Sequence, residues 1–158
     1  MSDKINGSII VCIDTTNASH AALLYTCFKA KTMGLNVQIL AVLEASHKNL
    51  LFAARAIGND KRQELTKHLD SLVKTVCQNA GIVPKISIRE GEIVTEITKE
   101  LKSTPDCRMI VFGKSHNSLS DNTVLPKIAG KIGHKINVPV TIVPENLSAE
   151  FLQQISQF

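Results

Sequence analysis

Short, dense apolar runs alternate with longer stretches of helical period along the whole chain, and that alternation limits the fold more than any other feature. Ser8 to Ile13 is a β-rich run followed by the turn-like Asp14-Thr15-Thr16-Asn17. From Ala18 to about Met33, Ala21, Leu24, Tyr25 and Phe28 recur at i, i+3, i+4 and i+7, and Gly34 follows as a natural helix terminator. Val37 to Leu43 reads as a second buried strand, and Glu44 to Gly58 reads ambiguously, as a loop with a helical turn. Lys61 to Ala80 is a helix with Leu65, Leu69, Leu72 and Val76 on one face, ended by Gly81. Pro84 to Arg89 is a strand with alternating faces; Gly91 opens a helix striped by Ile93, Ile97 and Leu101. Met109 to Phe112 is a short buried strand ending at Gly113, and a polar loop, Lys114 to Asn122, leads to a helix carrying Leu125, Ile128, Ile132 and Ile136. Val138 to Val143 is the last strand, between Pro139 and Pro144. The order β-α-β-α-β-α-β-α-β predicts a three-layer α/β/α domain: a five-stranded parallel sheet, helices on both faces, right-handed crossovers.

Ligands of such sheets bind beyond the carboxyl ends of the strands, where strand order reverses. The segments at that edge are Asp14-Thr15-Thr16, Val42-Leu43-Glu44, Arg89-Glu90-Gly91 and Gly113-Lys114-Ser115. Their chemistry separates the families that share the fold. A response-regulator receiver needs an acidic phosphate acceptor at the end of its third strand, where this chain has Ile88-Arg89. A flavodoxin needs a glycine-bearing hydroxyl loop after its first strand, whereas Asp14-Thr15-Thr16-Asn17 lacks glycine and its carboxylate repels a phosphate. The dinucleotide-binding G-x-G-x-x-G and the P-loop are absent.

Composition narrows the partners. At 158 residues one domain, 1–158, is expected, able to bury roughly 70% of its unfolded surface. The net charge of +4 is mild and its lysines are spread along the chain; with five Phe, one Tyr and no Trp there is no stacking platform for bases, so nucleic acid is not an expected partner. No apolar run approaches the roughly 20 residues that span a bilayer, so no membrane partner is expected. Ile9 to Ile13 meets Asp14 too early for a signal peptide, and the expected location is the cytoplasm. Cys12, Cys27, Cys77 and Cys107 form no C-x-x-C pair and read as buried free thiols. His20, His47, His68, His116 and His134 show no metal-ligand spacing, so no metal site is expected.

Five segments, in order, resemble the universal stress protein family over almost the full length. They are Ile9 to Asp14 with Thr15; Val37 to Val42 before Glu44; Arg89-Glu90-Gly91; Ile110 to Gly113; and Asn137 to Pro144. The closing Pro144-Glu145-Asn146-Leu147-Ser148 looks like a bacterial subgroup. The resemblance implies strand order 3-2-1-4-5, in the manner of adenine nucleotide alpha hydrolases, and a cofactor site for ATP or another adenine nucleotide. In the family's ATP-binding members the fourth strand ends in G-x2-G-x9-G-[S/T], whose glycines bring backbone N–H groups to the phosphates. Carried onto this sequence, the first glycine is Gly113, but the next three positions hold His116, Pro126 and Lys127. Proline has no N–H, and its ring fills space a phosphate needs. Each charge-assisted bond lost is worth roughly 1.5–3 kcal/mol, so losing two or three takes a micromolar site to the millimolar range.

The base and ribose half is better kept. Asp14 matches the family's acidic residue after the first strand and Val42 its adenine-contacting aliphatic residue, although Asp14 can equally begin the turn and Val42 belong to the core. Lys127, Lys131, His134 and Lys135 form a basic stripe at helical spacing, with Lys114 in the preceding loop. Lys114 and Lys127 can meet a phosphate as point charges, or the stripe is a solvated face. Ser115, Ser118, Ser120 and Thr123 are further hydroxyl donors. The expected cofactor-binding set is thus Asp14, Thr15, Val42, Gly113, Lys114, Ser115 and Lys127, with no catalytic residue, since His116 has neither a nucleophile nor an acidic orienter in recognisable spacing.

The resemblance also implies a homodimer paired through the last strand. Residues 145–158 read as a helical tail whose stripe, Leu147, Phe151, Ile155 and Phe158, docks on its own domain or on a partner subunit. The leading expectation is a non-catalytic stress-response dimer with weak or altered adenine-nucleotide binding. The alternatives are a nucleotide-dependent switch or slow ATPase that uses lysines in place of glycines, and a protein that acts through its dimer edge and tail without a ligand.

Overall fold

The computed structural model describes residues 7–44, 51–115, 130 and 132–158. Strand β1 (Ser8–Cys12) is buried at every residue, as its unbroken apolar run requires of a strand covered on both faces. Around it lie β2 (Asn36–Leu43), β3 (Lys85–Glu90), β4 (Cys107–Lys114) and β5 (Val140–Pro144), in the order β3-β2-β1-β4-β5. Every pairing is parallel: Val11 sits beside Ile39 of β2 and Val111 of β4, Ile39 beside Ile86 of β3, and Phe112 beside Ile142 of β5. The expected five-stranded order is therefore present.

The pleat sorts the core into two layers. Ile9, Val11 and Ile13 point to one face, with α1 (Ala18–Met33) and α2 (Leu51–Leu72). Ile10 and Cys12 point to the other, with Phe112 and with Ile93, Val94 and Ile97 of α4 (Ile93–Ser103). Between them in sequence, α2 runs on through a π-helical turn, Val73–Cys77, into the short α3 (Gln78–Ala80).

The helix phases explain where the sequence reading was too narrow. Along α1, Ala21 and Tyr25 of the expected stripe are buried and Leu24 and Phe28 half-buried, but Ala22, Leu23, Cys27 and Ala30 are buried as well. The sheet covers one side of this helix and the chain's last helix another, and the small alanines permit the close approach. Gly34 ends α1 at φ 67°, its N–H bonding the Ala30 carbonyl, in a conformation that favours glycine. The ambiguous stretch before Lys61 is helical from Leu51, and the expected face of α2 is correct, with Leu65, Leu69 and Leu72 buried. Helix α4 starts two residues after Gly91 because Glu92 caps it, its carboxylate accepting from the N–H groups of Val94 (3.2 Å) and Thr95 (2.8 Å). The expected helix around Leu125 and Ile128 lies outside the described residues, apart from α5 (Ile132–Lys135).

The tail forms α6 (Ala149–Ile155), capped by Ser148, whose Oγ accepts from Phe151 N–H at 3.2 Å. It packs on α1 of the same chain with Leu152 and Ser156 buried. The expected stripe holds only in part: Leu147 and Ile155 pack on the core, whereas Phe151 (46%) and Phe158 (94%) are exposed. Leu147 precedes the cap, so spacing counted from it does not follow the helix. Lys29, itself buried, donates to the Phe158 carbonyl and ties the end of the chain to α1.

The two sheet edges differ. Edge strand β3 carries Lys85, Arg89 and Glu90, whereas β5 at the opposite edge has no charged residue and leaves Ile142 44% exposed. Among the described residues no helix is long and apolar enough to cross a membrane.

Candidate functional site

A cleft of about 230 Å³ opens beyond the carboxyl ends of β1 and β2. The chain leaving β1 supplies Ile13, Asp14 and Thr15, and the end of β2 supplies Val42 and Leu43, with Glu44 following. Lys61, Glu64 and Leu65 from α2 form one wall, and Ile93 at the start of α4 closes the other. The floor is apolar (Ile13, Val42, Leu43, Leu65, Ile93) and the rim polar, with Asp14, Glu44 and Glu64 outnumbering Lys61. A slot with an apolar floor accepts a flat heterocycle, and hydroxyl groups suit a carboxylate-rich rim.

The turn that positions Asp14 is closed on itself. Asp14 Oδ1 accepts from the Thr16 N–H (2.8 Å), the Thr16 hydroxyl (2.5 Å) and the Ser19 hydroxyl (3.1 Å). Ser19 Oγ in turn accepts from the Asp14 N–H at 3.0 Å. Asp14 thus fixes the entry to α1 and also lines the cleft. Val42 is likewise both half-buried core and cleft floor.

Of the sequence-derived set, Asp14, Thr15 and Val42 meet in the cleft. Gly113, Lys114 and Ser115 stand apart from its lining, at the carboxyl end of β4 on the other side of β1. Gly113 has a structural reason of its own: a Cβ there would stand 2.6 Å from the Ala18 carbonyl oxygen. Its lack of a side chain lets β4 pass under the first turn of α1. Lys114 is exposed. Lys127 lies outside the described residues, as do His116, Ser118, Ser120, Thr123, Pro126 and Lys131.

The sequence reading missed Lys61, Glu64, Leu65 and Ile93 as site residues. A usable signal existed for the first three: α2 follows β2, so its first half must rise over that strand's carboxyl end. Lys61 and Leu65, at i and i+4, then share a face. Among the described residues no three His, Cys, Asp or Glu side chains are placed to hold a metal ion.

Below the cleft, β2, β3 and α4 enclose an ionic cluster. Glu100, 3% exposed, accepts hydrogen bonds from Gln38, from Ser87 Oγ at 3.0 Å and from Arg89 Nε. Arg89 also reaches Glu96 at 3.5 Å, and Lys99 meets Glu96 at 3.0 Å. Burial works against the Glu100 charge, but the bonds from Arg89, Ser87 and Gln38 outweigh it and hold the carboxyl below its ordinary value.

A parallel, doubly wound sheet with an apolar-floored cleft at the ends of β1 and β2 defines an α/β fold of the class that places its ligand sites beyond the carboxyl ends of the strands. The chain belongs to the universal stress protein family, whose profile matches residues 6–144. Solved structures agree on the fold. Universal stress protein UspA from Lactobacillus plantarum superposes with a TM-score of 0.68 at 17% identity, over 87% of this chain and 96% of that one. The universal stress protein from Archaeoglobus fulgidus in complex with dAMP gives 0.63 at 17% identity, over 88% and 98%. A universal stress protein family protein from Arabidopsis thaliana with AMP bound gives 0.60 at 16% identity, over 89% and 92%. No curated protein matches the sequence.

Proposed function

We propose that this protein is a non-catalytic, cytosolic stress-response homodimer that holds an adenine nucleotide weakly, by its base and ribose rather than by its phosphates. The observation that carries the reading is the cleft, in which Val42 and Ile13 offer apolar surface to a base and Asp14 stands where a ribose hydroxyl can donate to it. The dAMP and AMP complexes of the Archaeoglobus and Arabidopsis relatives supply the ligand class. The acidic rim, and the proline and lysine in place of two phosphate-loop residues, argue against tight polyphosphate binding. A switch or slow ATPase built on Lys114 and Lys127 has less support, because exposed Lys114 is not part of the cleft lining.

The test is to purify the protein without added ligand, identify any bound small molecule by mass spectrometry, and titrate AMP and ATP calorimetrically. The expected outcome is no stoichiometric nucleotide and dissociation constants on the order of 0.1–1 mM or weaker, with AMP no weaker than ATP. Stoichiometric copurifying ATP with a micromolar constant would overturn the weak-binding reading.

A further inference from the structure

Away from the cleft, two cysteines meet in the core. Cys27 on α1 and Cys77 at the end of the π-helical turn are both 0% exposed, and their sulfurs lie 3.8 Å apart. A disulfide needs about 2.05 Å, so less than 2 Å of closure separates the thiol pair from a bond. The π turn contributes to this placement. Its wider turn carries both Val76 (2% exposed) and Cys77 inward, where successive positions of a regular helix diverge by about 100°. Either sulfur can donate in the S–H···S contact. With Cys27 as donor, that bond and burial both push its thiol up, while accepting the bond lowers Cys77 in spite of burial. Either thiol can act as the nucleophile and the other as the resolving thiol, and both orders end in the same disulfide.

We propose that Cys27 and Cys77 form a redox couple that a hydroperoxide converts into an intramolecular disulfide. With Cys77 as the attacking sulfur, the S–O bond forms at one peroxide oxygen as the O–O bond breaks, and the departing hydroxide takes the Cys77 thiol proton and leaves as water when hydrogen peroxide is the oxidant. The sulfenic acid so formed is attacked by the Cys27 sulfur. The S–S bond forms, the S–O bond breaks, and the released hydroxide takes the Cys27 proton to leave as a second water. Two thiols lose two electrons in all, and one peroxide becomes two waters. Since both sulfurs are buried, reaction requires a small oxidant and a transient opening between α1 and the π turn, so the couple responds slowly and to sustained oxidation. The closed segment, residues 27–77, contains β2 and the cleft wall formed by Lys61, Glu64 and Leu65, so the bond ties the site's scaffold to α1. The proposal does not depend on which ligand the cleft holds.

The other two cysteines supply an internal control. Cys107 pairs in register with Ser8, and Cys12 with Phe112, so the two backbones are offset by four strand residues, about 13 Å along the strand direction, although both side chains lie in the same core layer. The full chain should be exposed to excess hydrogen peroxide, denatured and alkylated, then measured by intact mass and peptide mapping. The expected result is loss of two of the four alkylatable thiols, one peptide pair joining Cys27 to Cys77, and full recovery with dithiothreitol. Cys107→Ser should retain the cross-link, and Cys77→Ser should lose it. Four thiols still alkylatable, or a bridge that includes Cys12 or Cys107, would overturn the proposal. The wild-type peptide map decides the matter even where a variant fails to fold.

Discussion

Glu100 is the residue whose environment has the clearest consequence for stability. Its carboxylate is buried and holds Arg89, Ser87 and Gln38 together across β2, β3 and α4. Glu100→Gln removes the charge and leaves the half-buried Arg89 with Glu96 alone, at an expected cost of about 2–4 kcal/mol in denaturant unfolding near neutral pH. The pH dependence follows from the depressed folded-state value. The contribution of Glu100 is complete above its ordinary 4.5 and is lost as pH falls through the lower folded value. Wild-type stability should therefore fall more steeply than that of Glu100→Gln below about pH 4.5 in unfolding curves taken as a function of pH; parallel acid limbs would show that another carboxylate dominates. At this scale the sequence was only partly legible. Asp14, Thr15 and Val42 line the cleft because it opens at strand ends, which the apolar runs mark out. Gly113 was assigned to phosphate binding, yet its lack of a Cβ serves the packing of β4 under Ala18, a close approach between segments some ninety residues apart that no local pattern encodes.

Among the elements, strands were easier to place than helix faces. A strand buried on both sides needs only an apolar run, whereas a helix face depends on where its first residue falls. The tail shows the difference: Ser148 caps α6, so the docked residues are Leu152, Ile155 and Ser156, and a stripe counted from Leu147 finds only Ile155 among them. Leu152, 1% exposed against α1, should be the tail's chief anchor. Leu152→Ala is expected to cost about 2–4 kcal/mol in thermal or denaturant unfolding. Because α6 docks on its own chain, that variant should leave the mass in solution unchanged. A shift of the mass towards monomer would instead give the tail a role between subunits. The first half of α2 was not legible, since apolar residues and Gly58 crowd Leu51 to Gly58 without a polar face to set a period.

For the whole molecule, the five-stranded parallel sheet is the part the sequence predicted best, because alternation and handedness leave few arrangements, while its order came from the resemblance to the family. The proposed dimerisation through β5 rests on what that order leaves at the edge, and Ile142→Lys is the direct probe. Light scattering should show the mass falling from two copies to one, whereas an unchanged mass would move the interface away from β5. The contrast between the edges then bears on how far assembly can proceed. If both edges accepted partners, β5 of one copy would add to β3 of the next, and the sheet would grow without limit into fibres. Lys85 and Glu90 make β3 a poor acceptor, so the proposed dimer would have only the contact of β5 with its own twin. Such a contact uses up both matching edges at once, so growth terminates after a single association step.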